Sequence, residues 1–395
     1  MTGGVGQAPA DQSRVRRAML WPLSAAALLY GTGARIHRGL YARRWLEARQ
    51  LDCLVVSVGN LVSGGSGKTP TAAWLAGALH RRGRRVALAS RGYRRERNEP
   101  VTIVSDGRAL QADVAGAGDE PIQIAMGTPG VPVLVGRDRA VVGDRAVSDF
   151  DVEVLVLDDA FQHHRVARDV ELLTVDGHFG FGNGRVLPRG PLREFPTVLS
   201  GADAIVVVDG PLDEPAARLL RRHAQKARCF HARRRPVALF GLNGGATLAP
   251  NALGGREVGM LAAVAHPEGF RRTLESLGAR VVAERCFRDH HAYRAADLRD
   301  LAGRAEFWVT TEKDAVKIPP EWSIDCDLRV LRIEVEVEES AALLDWIEDR
   351  LAGHSLRTAR RPRLPPPNPP GGLPGRSGPE AVGQRRSSAS PCVRR

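Results

Sequence analysis

The segment Val58-Gly59-Asn60-Leu61-Val62-Ser63-Gly64-Gly65-Ser66-Gly67-Lys68-Thr69-Pro70 joins a short β-branched run, residues 54–58, to a stretch, residues 71–80, that sets Trp74, Leu75, Ala78 and Leu79 on one helical face. A glycine-rich turn that leaves a buried strand and enters a helix admits few architectures. Its backbone amides can turn inward on an anion, and the helix N-terminus adds the positive end of its dipole. Gly64, Gly65 and Gly67 give the backbone freedom, Lys68 can reach the β and γ phosphates, and Thr69 offers a hydroxyl to Mg²⁺. The candidate nucleotide contacts are therefore Val62, Ser63, Gly64, Gly65, Ser66, Gly67, Lys68 and Thr69. Val62 stands where the strict pattern has glycine, so the loop is a variant phosphate-binding loop.

Apolar runs at 86–89, 131–135, 152–157, 170–175 and 204–208 alternate with helical patterns, which predicts a parallel sheet covered on both faces, the architecture of P-loop NTPases. A second set of strands is expected at 237–242, 258–265, 280–286, 307–310 and 328–337, with helices near 267–277 and 295–302. The expected organisation is a flexible leader over 1–17, a helix over 18–40 and a P-loop domain over 41–235. A smaller α/β domain over 236–354 completes the cleft, and a Pro/Arg-rich tail over 355–395 is too poor in apolar side chains to order itself.

Net charge is +12, but it is unevenly placed. Residues 355–395 hold nine Arg against Glu380, and residues 1–50 hold eight Arg against Asp11 and Glu47, which leaves the body slightly acidic. A nucleic-acid partner is not expected, because no folded face carries the charge. The five cysteines lack Cys-x-x-Cys spacing, which fits a reducing compartment and excludes a zinc knuckle. Residues 18–34 are uncharged and flanked by Arg on both sides; the pattern admits a signal peptide, a short membrane span or an interfacial helix.

An apolar strand ending in Asp158-Asp159 follows, inside Val154-Leu155-Val156-Leu157-Asp158-Asp159-Ala160-Phe161-Gln162-His163-His164. Such a strand end sets a carboxylate beside Mg²⁺ at the carboxyl edge of a P-loop sheet. Adjacent His290 and His291 diverge on any regular element and make a poor metal pair.

The order GGSGKTP, SRGY (residues 90–93), GDEP (118–121), DDAFQHH, LPRGPLRE (187–194), DHHAY (289–293) and TTEKDAVK (310–317) resembles the tetraacyldisaccharide 4′-kinase family. The resemblance runs from the N-terminal helix to about residue 350. It implies transfer of the γ-phosphate of ATP, with Mg²⁺, to the 4′-hydroxyl of an acylated glucosamine disaccharide 1-phosphate. It also implies that residues 18–34 form a membrane-associated helix, a removable signal being excluded, at the cytoplasmic face of the bacterial inner membrane. By that resemblance Asp119 and His290 form the base pair that accepts the hydroxyl proton, beside Lys68. The metal candidates are Thr69, Asp158, Asp159, Glu120, Gln162 and Glu194. Arg137, Arg189 and Arg193 could meet the substrate 1-phosphate, since guanidinium binds phosphate in bidentate fashion. Ala160 and Phe195 depart from the family's usual Gly and Pro without removing a reactive group. No obligate protein partner is inferred.

Two other readings remain open on the residues: a nucleotide-switch protein and a kinase of a soluble sugar. Thr311-Glu312-Lys313-Asp314 sets Lys and Asp side by side and so does not match the guanine-reading string of P-loop switches.

Overall fold

The structure, a computed structural model, describes residues 10–359 except residues 94, 98, 265, 266, 290 and 324. The expected leader up to residue 9, the tail from residue 360 and His290 lie outside the described residues. The chain order is α1 (Ala10–Ala42), β1 (Leu54–Gly59), α2 (Lys68–Arg81), β2 (Val86–Ser90), β3 (Thr102–Asp106), α3 (Val114–Ala117), α4 (Asp119–Gly127), β4 (Pro132–Val135), α5 (Arg139–Phe150), β5 (Val154–Asp158), β6 (Val170–Asp176), β7 (Ala204–Val208), α6 (Glu214–His223) and β8 (Arg228–Gly241). There follow β9 (Glu257–Ala262), α7 (Pro267–Ser276), β10 (Arg280–Cys286), β11 (Phe307–Thr311), α8 (Glu312–Ala315), β12 (Leu328–Val337) and α9 (Ser340–Ala359).

Among the described residues, twelve strands form one sheet in the order β10-β9-β11-β12-β8-β7-β6-β1-β5-β2-β4-β3. The pairs around β1 are parallel, as the buried apolar runs demand. The sheet is nevertheless mixed, which corrects the expectation of a parallel one. Edge strand β3 runs antiparallel to β4, and β12 runs antiparallel to β8. The physical reason for the second reversal is the length of β8: its start pairs with β7 in parallel, and beyond residue 232 its free edge takes β12 as a partner. β8 passes through residue 235 without a break, so both halves of the chain share one sheet. The helix expected at 295–302 is only a turn at Ala295–Asp297, and Leu298 and Leu301 are instead buried in a tertiary cluster with Trp308.

One face of the first half packs α2, α4 and α9 over Leu54, Val56, Val58, Leu172 and Val206. α9 returns here from the chain's far end, burying Leu343, Trp346 and Ile347 in that cluster. The other face carries α5 and the segment around Phe181, Leu192 and Leu199. Helix α1 lies across this second face through Ala27 and Gly31, and its residues 24, 34, 38 and 41 are half-buried on the same stripe. The Phe195 ring fills the space that Gly31 leaves open, since a Cβ there would lie 2.6 Å from it.

Candidate active site

The carboxyl ends of β1, β5, β6 and β7 meet at one edge, the place where open α/β sheets bind ligands. The loop between β1 and α2 turns there. Gly67 caps α2 at φ 79, a left-handed conformation that suits glycine. Gly59 is required by contact: a Cβ would lie 2.7 Å from the Phe161 Cβ. Asn60 Nδ2 donates to Ser66 Oγ at 2.7 Å and to the Gly64 carbonyl at 3.3 Å, and Ser66 Oγ meets Thr174 Oγ1 at 2.9 Å. The loop base is therefore stapled to β6. The LPRGPLRE segment braces its other side, with Ser63 N donating to Pro191 O and Arg193 N to Leu61 O, each at 2.8 Å.

Thr69 Oγ1 donates to both oxygens of Asp158, at 3.3 and 3.1 Å. Lys68 Nζ lies 3.9 Å from Asp159 Oδ2, and Arg193 donates to Asp159 Oδ1 at 2.7 Å and to Gln162 Oε1 at 3.3 Å. Burial pushes the Asp158 carboxyl up to about 7, with Lys68 opposing and Asp159 adding to the rise. A buried carboxylate beside a hydroxyl, both hard oxygen donors, fits Mg²⁺. Gln162 Nε2 donates to Asn60 O, tying the acidic strand end to the phosphate loop.

Lys68, Asp158, Asp159, Gln162, Arg137, Arg193 and Glu120 line one cavity of about 1700 Å³. Asp119 faces an adjoining, mainly apolar cavity of about 770 Å³, and Tyr93 lines both. The two motif turns straddle this boundary in the same way: Glu120 and Asp289 face the larger cavity, Asp119 and His291 the smaller. Lys313 joins them, its Nζ 3.1 Å from Asp289 Oδ1 and 3.5 Å from Glu120 Oε1. Burial works to lower the Lys313 pKa, but Glu120, Asp289 and Asp119 together leave it raised.

Of the expected metal candidates, Thr69 and Asp158 are in contact and Asp159 adjoins them. Glu120 and Gln162 line the same cavity but are engaged by Lys313 and Arg193 respectively. Glu194 is buried away from the cavity wall, with both oxygens taken by Arg38: Nε at 3.1 Å and Nη2 at 2.7 Å. Arg193 serves Asp159, and the chain turns at Arg189, whose carbonyl accepts from Asn183. His291 meets Asp297 at 2.9 Å and stacks on Phe287. His163, on the cavity wall, and His164, behind it, are held neutral by burial, which lowers them to about 4 and about 3.

The sequence did not single out Arg139, Arg168 or Arg38, and it gave Lys313 no role. Arg139 is buried against the cavity, where desolvation lowers it to about 10. Arg168 donates to the carbonyls of Ala160, Phe161 and His163, clamping the loop behind the two acids. Only the TTEKDAVK string pointed at Lys313; the others carried no local signal.

Residues 16–352 match the protein family described as Tetraacyldisaccharide-1-P 4′-kinase. The chain is 38% identical over 336 residues to a "Tetraacyldisaccharide 4′-kinase" of Syntrophus aciditrophicus, covering 80% of this chain and 89% of that one. A protein of the same name from Anaeromyxobacter dehalogenans is 41% identical over 335 residues, covering 82% and 88%. Among solved structures, LpxK from Aquifex aeolicus in complex with ATP superposes with a TM-score of 0.69 at 29% identity, covering 85% of this chain and 99% of that one.

Proposed function

The chain belongs to the tetraacyldisaccharide-1-P 4′-kinase family, and from that premise we propose how its cleft performs ATP-dependent phosphorylation of the 4′-hydroxyl of the lipid A precursor. The observation that carries the reading is the gathering of Lys68, Thr69, Asp158 and Asp159 at the carboxyl edge of the sheet, beside the turn that holds Asp119 and Glu120.

The amides of Gly64, Gly65, Ser66 and Gly67 would hold the phosphates of ATP, and Lys68 would neutralise the β and γ oxygens. Thr69 and Asp158 would hold Mg²⁺, which would supply charge neutralisation for the transferring phosphoryl group. Asp159 keeps Lys68 and Arg193 in place at the cavity wall. Asp119 accepts the proton of the 4′-hydroxyl as the oxygen attacks, with His290 as its partner by family resemblance. Lys313 draws the Glu120 and Asp289 turns together, so the hydroxyl is presented across the boundary of the two cavities.

An acylated substrate resides in a bilayer, and α1 suits a bilayer surface. No helix among the described residues is long and apolar enough to cross a membrane. Trp21, Leu28, Leu29 and Ile36 are exposed and share one side of α1, roughly opposite the stripe that packs on the enzyme. We place the enzyme at the cytoplasmic face of the bacterial inner membrane, with α1 lying in the interface.

The test measures γ-phosphate transfer from ATP to the acylated disaccharide 1-phosphate, to soluble sugars and to water. Phosphorylated lipid alone is expected. ATP consumed without phosphorylated lipid would favour a nucleotide switch, and a phosphorylated soluble sugar would favour the other kinase.

A further inference from the structure

Helix α1 makes a polar contact with the enzyme at Arg38, behind the acids of the site. The Arg38 guanidinium grips Glu194 with Nε and Nη2, donates from Nη2 to the Phe161 carbonyl at 3.2 Å, and lies 4.6 Å from the centre of the Phe161 ring. Both partners lead directly to Asp159. Glu194 is the chain neighbour of Arg193, which donates to Asp159, and Phe161 follows Asp159 by two residues. His37 and Tyr41 pack their rings against His164 on the same loop.

Asp159 itself sits at φ 50, a left-handed conformation uncommon for a non-glycine residue. Two buried or half-buried arginines hold the segment that follows it. Arg168 gathers the carbonyls of residues 160, 161 and 163 from within the loop. Arg38 reaches the same loop from α1.

We propose that Arg38 is a positioning residue for the Mg·ATP site, acting through Glu194 and the Phe161 carbonyl, so that α1 is a structural part of the nucleotide site as well as a membrane contact. This rests on the reading of Lys68, Thr69, Asp158 and Asp159 as the Mg·ATP site. Planar guanidinium is needed because a bidentate carboxylate and a carbonyl are served at once, a task that a lysine amine cannot reproduce.

Calorimetry of ATP binding to the full chain in detergent, without lipid, with and without Mg²⁺, tests the proposal. Arg38→Ala should weaken Mg·ATP binding by about ten- to a hundredfold, the usual cost of losing an outer support of a metal site, while ATP affinity in chelator stays within about twofold. Arg38→Lys should recover only part of the loss, and it is the variant to read if Arg38→Ala does not fold. Glu194→Ala combined with Arg38→Ala should be no worse than Arg38→Ala alone, because the two act as one unit. Native Mg·ATP affinity in both Arg38 variants, equal losses with and without Mg²⁺, or additive losses in the double variant would each overturn it. Lipid phosphorylation is not the readout, so an unphosphorylated lipid beside intact Mg·ATP binding counts against the reaction proposed above and leaves Arg38 untouched.

Discussion

Individual side chains divide into those that touch the nucleotide cavity and those that hold them there. Asp119, the first residue of α4, lines the smaller cavity, and on the proposed mechanism it belongs to the reacting group. Asp119→Ala is expected to cut turnover by about two to four orders of magnitude with ATP affinity nearly unchanged, and steady-state kinetics with a separate ATP titration checks this. Turnover within about threefold of the native chain removes Asp119 from the chemistry. Asp158 gives a pH signature. Burial raises its carboxyl to about 7, so if Asp158 holds Mg²⁺ as proposed, at lower pH a proton would compete with the cation for its oxygens. Mg·ATP affinity should therefore fall as pH drops below about 7 and level off above it, and Asp158→Asn should flatten the profile; a pH series of calorimetric titrations decides. Lys68, Thr69 and Asp158 were legible in the sequence because the loop and the strand end are local strings whose chemistry is fixed by residue type. Arg38 was not, because its partner Glu194 is 156 residues away and nothing local marks the pair. The assignment of Glu194 to metal or nucleotide contact failed to anticipate Arg38 for the same reason: an acid in a rigid charged string does not reveal which cation it will meet.

Strands and helices show the same division between local and distant causes. The central strands were readable almost to the residue, since a strand buried on both faces must be a continuous β-branched run, as at Leu54–Gly59 and Ala204–Val208. β3 was missed: an edge strand in antiparallel pairing needs only half its residues buried, so Thr102–Asp106 carries no such run. The turn at Ala295–Asp297 read as a helix because Leu298 and Leu301 recur at helical spacing, yet both are buried by a tertiary cluster with Trp308. α1 read as an uncharged stretch that admitted three possibilities, and in the structure it has two unlike faces. One face is tied to the enzyme at Gly31 and Arg38; the other presents Trp21, Leu28, Leu29 and Ile36. Replacing Trp21, Leu28 and Leu29 together by Ser should move most of the protein off vesicles of anionic lipid, because those apolar side chains supply the burial that holds an interfacial helix. Flotation with such vesicles measures it, and unchanged binding would show that the surface lies elsewhere.

At the scale of the whole molecule, chain order suggested a boundary near residue 235, whereas the hydrogen bonding crosses that point. β8 belongs to both halves, and α9 leaves the second half to pack on the first. Arg82 and Arg84 of the first half pair with Asp345 and Glu348 of α9, and Phe230 lies beside Trp346. The surface ion pairs add little, being exposed or half-exposed. The apolar contact is what stitches the ends together: Ile347 is wholly buried among α2 and the β1 strand core. Such an arrangement couples the two halves, since a cut at residue 235 would sever a strand and strip α9 from α2. Ile347→Ala should therefore cost about 2–5 kcal/mol, the range for a large aliphatic side chain removed from a packed core. If the sheet unfolds as one unit, the loss will register equally in both halves. Hydrogen exchange read at the amides of β1 and of β9 distinguishes the cases: parallel loss of protection supports one cooperative unit, and loss confined to β1 would show that the second half stands by itself.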